Sequence, residues 1–169
     1  MKRVPWALAA PNLGAAIVVA AAISGAFSFP PARAQEPIPA DMRPEVEAVQ
    51  AEVKSFFKAF SPSSLGPEGA IRQIIGNGPL KDRNDEISQL SEQAEQLDAR
   101  YGAYVDHEAV STRVSGKSVI FLRYLYKGER FPVVFYFTFY RPTSALSPVQ
   151  PKWSLISLRF DARLDALDR

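Results

Sequence analysis

SVIFLRYLYKGERFPVVFYFTFYRP, residues 118–142, is the stretch on which the fold turns. On either side of Lys127-Gly128-Glu129-Arg130 the side chains follow a period of two, and Tyr, Val and Phe are enriched; both are properties of strands. A glycine-containing turn between two such runs makes an antiparallel hairpin. With Gly128-Glu129 as the loop residues, Lys127 faces Arg130, Leu122 faces Phe135 and Ile120 faces Phe137. One face then collects Ile120, Leu122, Tyr124, Val133, Phe135, Phe137 and Phe139, and reads as core. The other collects Val119, Phe121, Arg123, Leu125, Val134, Tyr136 and Thr138. That second face is too apolar for free water, and a contiguous patch of this kind marks an interaction surface. A slip in the turn would exchange partners between the strands but leave the alternation within Phe131 to Tyr140 intact. The aromatic run is not a membrane span, because it alternates, is followed by Arg141-Pro142, and as a lone strand cannot close a barrel.

Outward from the hairpin, Ala103 to Val114 and Lys152 to Asp161 have the same period, so the predicted sheet has four strands: 103–114, 117–126, 131–140 and 152–161. Ser115-Gly116 and Lys127 to Arg130 are tight turns, and RPTSALSPVQP is a longer loop marked by proline. Upstream the period changes to that of a helix. Val46, Val49, Val53, Phe56 and Phe60 recur at steps of three and four from Glu45 onward, and SPSSLGP stops the run. Pro67, Ala70, Ile71, Ile74 and Ile75 predict a short second helix ending at Gly76-Asn77-Gly78-Pro79. A third begins near Asp82 or Asn84, either of which can cap it. It carries Ile87, Leu90, Ala94, Leu97 and Tyr101 on one stripe and stops at Gly102. Three helices followed by an antiparallel meander make an α+β domain with the helices on one face of the sheet. At 169 residues the chain holds one such domain, residues 45–167, with a real core.

The N-terminus reads as an export signal. Lys2 and Arg3 precede an Ala, Val and Ile-rich stretch, and Ala32-Arg33-Ala34 supplies a small-residue cleavage site. Residues 1–34 are therefore expected to be removed before Gln35, delivering the protein to the periplasm or the exterior. The competing expectation is an uncleaved anchor, since Val4 to Phe29 exceeds the roughly 20 apolar residues that a bilayer requires; Pro5, Pro11 and the cleavage site argue against it. Residues 35–44, with three prolines and no apolar period, read as a tether. With no cysteine in the chain, disulfides and cysteine lipidation are excluded, and the domain rests on packing alone. Loss of Lys2, Arg3 and Arg33 leaves 17 basic against 18 acidic residues, so the basic character of the full chain belongs to the targeting segment and a nucleic-acid partner is not expected.

The amphipathic helix, the helix ending in RYGAYVDHE (100–108), the hairpin of 118–142 and the closing KWSLISLRFDARLDAL (152–167) together resemble small exported proteins of the nuclear transport factor 2-like superfamily. The resemblance covers Glu45 to Leu167. It implies a cone: a strongly bent antiparallel sheet wrapped around the long helix, with a cavity at the wide mouth. Its members range from enzymes to binding subunits, so the resemblance does not select a function.

Asp106-His107-Glu108 is the one cluster of chemical appearance. Strand alternation places Asp106 and Glu108 on one face and His107 on the other, so the three do not converge. In steroid-isomerising members of the superfamily an aspartate works with a tyrosine; on that resemblance Asp106 would be a general base in the cone beside Tyr104, Tyr124 or Tyr136. The alternative is a solvated acidic strand. Arg123, a charge in mid-strand, either lays its stem on neighbouring rings and stacks on Tyr136 or Trp153, or anchors a ligand carboxylate or phosphate. Trp153 is a core or interface ring, or a ligand platform. A single histidine and no spaced carboxylate set leave no metal site, no cofactor motif is present, and neither a GxSxG sequence nor a phosphate loop occurs. Two functional classes are expected. The first is an exported, non-catalytic interaction domain, a homodimer or a protein's partner through Val119, Phe121, Leu125, Val134 and Tyr136. The second is a small apolar-ligand site, or a cofactor-free isomerase or dehydratase, inside the cone. A membrane is involved only if the signal is retained.

Overall fold

The computed structural model describes residues 37–61, 63–76, 78–142 and 152–162; the expected signal peptide lies outside these residues. A short 3-10 turn, Ala40–Met42, leads into helix α1 (Arg43–Phe60), followed by α2 (Gly66–Ile75), α3 (Asn84–Glu95) and the short α4 (Leu97–Tyr101). Strands β1 (Tyr104–Ser115), β2 (Val119–Gly128), β3 (Pro132–Tyr140) and β4 (Ser154–Asp161) then form an antiparallel meander in the order β1-β2-β3-β4. The architecture is α+β, helices preceding a four-stranded antiparallel sheet.

Helix α1 starts two residues earlier than its apolar period implies, because Pro44 sits in the first turn, where a missing N–H leaves no bond unmade. The end of the expected tether is thereby docked: Met42 is buried and belongs to the core, with Ile38 packed against it. At the other end Ser61 turns to extended geometry (ψ 136°), as the residue before a proline does. The expected side-chain cap of the third helix is absent: Arg83 precedes α3 and no cap hydrogen bond forms. The single predicted helix is also interrupted at Gln96, which separates α3 from α4.

The core lies between α1 and the inner face of the sheet, and it is made of rings. Phe56 meets Phe137 at 5.4 Å, Phe57 meets Phe135 at 5.4 Å, and Phe60 meets Tyr126 at 5.9 Å, mostly edge to face. Ile120, Leu122, Tyr124, Phe135, Phe137 and Phe139 are all 0–1% exposed, so the predicted core face of the hairpin is the core face. At about 25 cal/mol per Å² of buried apolar surface, rings of this size are the largest single stabilising contribution in a domain without disulfides.

The predicted register of that hairpin is corrected. Lys127 lies opposite Pro132, Leu122 opposite Phe137 and Ile120 opposite Phe139, two residues from the expected pairing. Faces survive a two-residue shift; partners do not. The cause lies outside the hairpin. Its turn amides bond to the preceding helix end: Glu129 N–H to the Ala103 carbonyl (3.0 Å), and Arg130 and Phe131 N–H to the Tyr101 carbonyl (3.0 and 3.1 Å). Pro132 has no N–H with which to close a tighter loop. The docking needs glycine on both sides, since a Cβ at Gly128 would meet the Tyr101 oxygen at 2.6 Å and one at Gly102 would meet the Glu129 Cβ at 2.9 Å.

Candidate functional site

Two register irregularities in β1 decide which side chains meet. The pairing steps from Tyr104 opposite Gly128 to Asp106 opposite Lys127, which leaves Val105 as the extra residue of a bulge, and steps again between Ala109 and Ser111. On a regular strand Tyr104 and Asp106 would share a face. The bulge separates them. Asp106 stands exposed on the outer face, its carboxylate 3.8 Å from the Lys127 ammonium, which bonds Glu108 at 2.7 Å. Tyr104 turns inward, where its hydroxyl meets His107 Nδ1 at 2.7 Å. Of the residues singled out from the sequence, Tyr104 and Tyr124 thus lie inside, Asp106, Arg123 and Tyr136 outside, and Trp153 at the start of β4; the structure does not assemble them into one site.

Inside, His107 stacks on Phe57 with ring centroids 4.6 Å apart and planes 14° from parallel. Burial lowers its pKa, against a raising contribution from Asp106 and with smaller lowering contributions from Lys54 and Lys127. Burial likewise raises the Tyr104 phenol, helped by the Asp106 charge. Burial favours the neutral form of both groups, and the tautomer of the ring sets which of them donates in this bond. Next to it, Tyr126 donates to Asp98 at 2.7 Å, and burial first, then this bond, raises its pKa far above the usual phenol range. The Tyr124 hydroxyl is fully buried and has no hydrogen-bond partner among the described residues. Asp106 faces outward and does not stand beside Tyr104 or Tyr124 on the inner face.

A second feature is a half-open cleft of about 670 Å³ between α1, the end of α2 and the start of β4, walled by Glu52, Phe56, Gln73, Ile74, Lys152 and Trp153 among others. Burial raises the Glu52 pKa. Trp153 is fixed there by its indole N–H, which donates to Glu45 Oε2 at 2.8 Å, while Arg141 holds Oε1 at 2.6 Å and lies 4.8 Å over the indole ring. These bonds, the Trp153 one foremost, lower the Glu45 pKa. Glu45 lies more than ninety residues from either partner, and no local pattern of the sequence announces the group.

The third feature is the outer face of the sheet. Val119, Phe121, Leu125 and Tyr136 are half-buried and Val134 is fully buried, yet none of them belongs to the core shared with the helices. Guanidinium groups cover the rings: Arg113 lies 4.9 Å over Phe121, and Tyr136 is flanked by Arg159 at 4.4 Å and Arg123 at 5.8 Å. Arg123 therefore takes the stacked position over Tyr136, while Trp153 takes Arg141 instead.

Among the described residues no helix is long and apolar enough to cross a membrane. Compared with protein-family models, curated proteins and solved structures, the chain matches none.

Proposed function

We propose that this chain is an exported interaction domain of the nuclear transport factor 2-like type that associates with a second copy of itself through the outer face of its sheet. The observation that carries the reading is the aromatic and aliphatic content of that face in register across β2 and β3, with guanidinium groups of Arg113 and Arg159 over its rings Phe121 and Tyr136. Four strands about 4.8 Å apart and about nine residues long present on the order of 500 Å² per copy. Roughly 1,000 Å² in total is at the low end for a specific interface, so the expected dimer is micromolar and reversible. In the same reading the sheet curves as a cone around α1. The placement of Asp106 outside, and the rings packed between α1 and the sheet, weigh against catalysis within it.

Sedimentation velocity tests the proposal. The wild-type chain should show concentration-dependent dimerisation, and Leu125→Arg should abolish it with the circular dichroism unchanged. A wild-type monomer at high micromolar concentration overturns it.

The cleft beside Trp153 favours a second reading, a small-molecule site, since its volume falls in the range of about 300–1,000 Å³ typical of such sites and it mixes apolar walls with one carboxylate and one ammonium. A thermal-shift screen against small amphipathic compounds would support it only if hits were lost in Glu52→Gln and Trp153→Ala.

A further inference from the structure

Helix α1 brings one charged side chain to the cleft beside Trp153. Ala48, Ala51 and Ser55, on the same stripe of the helix, are short and exposed, so Glu52 is the one long polar side chain on the helical wall. On a helix surface a glutamate finds a cation three or four residues away. Around Glu52 those positions hold Ala48, Val49, Ser55 and Phe56, none of them cationic. Tertiary partners are missing as well. Among the described residues no hydrogen bond or ion pair holds the Glu52 carboxylate, and burial alone raises its pKa. Glu45, two turns earlier on the same helix, shows the contrast, since Arg141 and Trp153 hold its two oxygens. Glu52 is open to the cleft as a residue, yet enough protein surrounds its carboxyl group to weaken its hydration. An unpaired acceptor in such a place is complemented best by a charged N–H donor.

We infer that the cleft takes a small organic ammonium compound with an apolar body, its N–H groups donating to Glu52. This rests on the small-molecule reading of the cleft given above and names the ligand class. The body lies against half-buried Ile74 and Trp153 and the methyl groups of Ala48 and Ala51. Trp153 is already fixed for that role. Its indole N–H donates to Glu45 at 2.8 Å and the Arg141 guanidinium lies 4.8 Å over its ring, so it offers a ligand apolar surface and no free donor. The wall between α2 and β4 is kept low by glycine, since a Cβ at Gly78 would meet the Ile75 carbonyl oxygen at 2.9 Å and the Ser154 Cβ at 3.5 Å. Lys152 is the competing charge and would favour an anion. It is exposed on a flexible stem, and a fully hydrated ammonium gains little from pairing in water. Attraction between charges is several times stronger close to protein atoms than in bulk water, so the partly enclosed carboxylate governs selection.

Probes that share one phenyl ring separate the charges: phenethylamine, phenylacetate and phenylethyl alcohol. Each is titrated into the isotope-labelled full chain, and the amide resonances of Ala51, Gly76 and Ser154 report binding at the cleft. Phenethylamine should bind about tenfold or more tightly than the other two, and Glu52→Gln should abolish the preference. Ser55→Lys, which places an ammonium one turn along the helix from Glu52, should weaken phenethylamine about threefold or more with the carboxylate still present. It keeps the test open should Glu52→Gln alter the fold, and circular dichroism is the control for both. Equal binding of the three probes, or a preference for the amine that survives Glu52→Gln, overturns the inference and leaves the cleft as a site for apolar molecules. Phenylacetate binding more tightly than phenethylamine assigns selection to Lys152 and overturns it too. If none of the three shifts the cleft amides at millimolar concentration, the small-molecule reading falls with it.

Discussion

Tyr124 buries a hydroxyl with no partner among the described residues, in the middle of a ring cluster. An unpaired buried polar group costs about 1–3 kcal/mol, so Tyr124→Phe should raise stability by roughly 1 kcal/mol in urea unfolding; a loss instead would show that the hydroxyl is engaged. His107 makes the complementary prediction in pH. Its folded pKa lies below the ordinary 6.5, so below that value the unfolded chain binds the proton more readily. Its contribution is present above pH 6.5 and declines as pH falls through the window between 6.5 and the folded value. Glu52 runs the other way, its raised carboxyl pKa favouring the fold at lower pH and ceasing to do so as pH rises above 4.5. Thermal melts between pH 7.5 and about 5.5 should therefore fall less steeply in His107→Phe than in wild type, and melts continued from about 5.5 to about 4 should fall more steeply in Glu52→Gln. Identical slopes would contradict both assignments. At this scale the sequence was informative about faces and silent about neighbours. Alternation separates His107 from Asp106 and Glu108, but an extra residue at Val105 is invisible to a period of two, and it is what parts Asp106 from Tyr104.

Between elements, the tightest junction joins α4 to the β2–β3 turn through Gly102 and Gly128. Gly128→Ala places a methyl 2.6 Å from a backbone oxygen that cannot move without unmaking two turn hydrogen bonds, and should cost roughly 1–3 kcal/mol, the usual range for overpacking. Gly116→Ala, with nothing within 4 Å but a φ of 60°, should cost only the backbone strain of about 1 kcal/mol. Equal costs at the two positions would argue against the junction. A second junction runs through Glu45, which ties the start of α1 to Trp153 and Arg141. Trp153→Phe keeps most of the ring but loses a bond to a charged acceptor, and should cost about 1.5 kcal/mol. The main helices and the strands, with their inward faces, were legible because each repeats its own period over at least eight residues. Register was not, because hydrogen bonds from the hairpin turn to Tyr101 and Ala103 set it, and these partners lie more than twenty residues upstream. The Glu45 group was hidden for the same reason, as was the cleft that it borders.

For the whole molecule, the account has a domain that needs no disulfide, because α1 and the sheet fill their common interior with aromatic rings. Its second apolar face is the one proposed to associate with a second copy. The strand FPVVFYFTFY contributes to both: Phe135, Phe137 and Phe139 to the interior, Val134, Tyr136 and Thr138 to the outer rows. The proposed export is checked by N-terminal sequencing of the exported protein, which should begin at Gln35. The central claim is that the outer face associates with itself, and the molar mass of the wild-type chain, followed by light scattering from low to high micromolar concentration, tests it most directly. The account predicts a rise from one chain mass to two with a micromolar midpoint, suppressed in Leu125→Arg. A mass that stays at one chain throughout, or a rise that Leu125→Arg leaves unchanged, would contradict it.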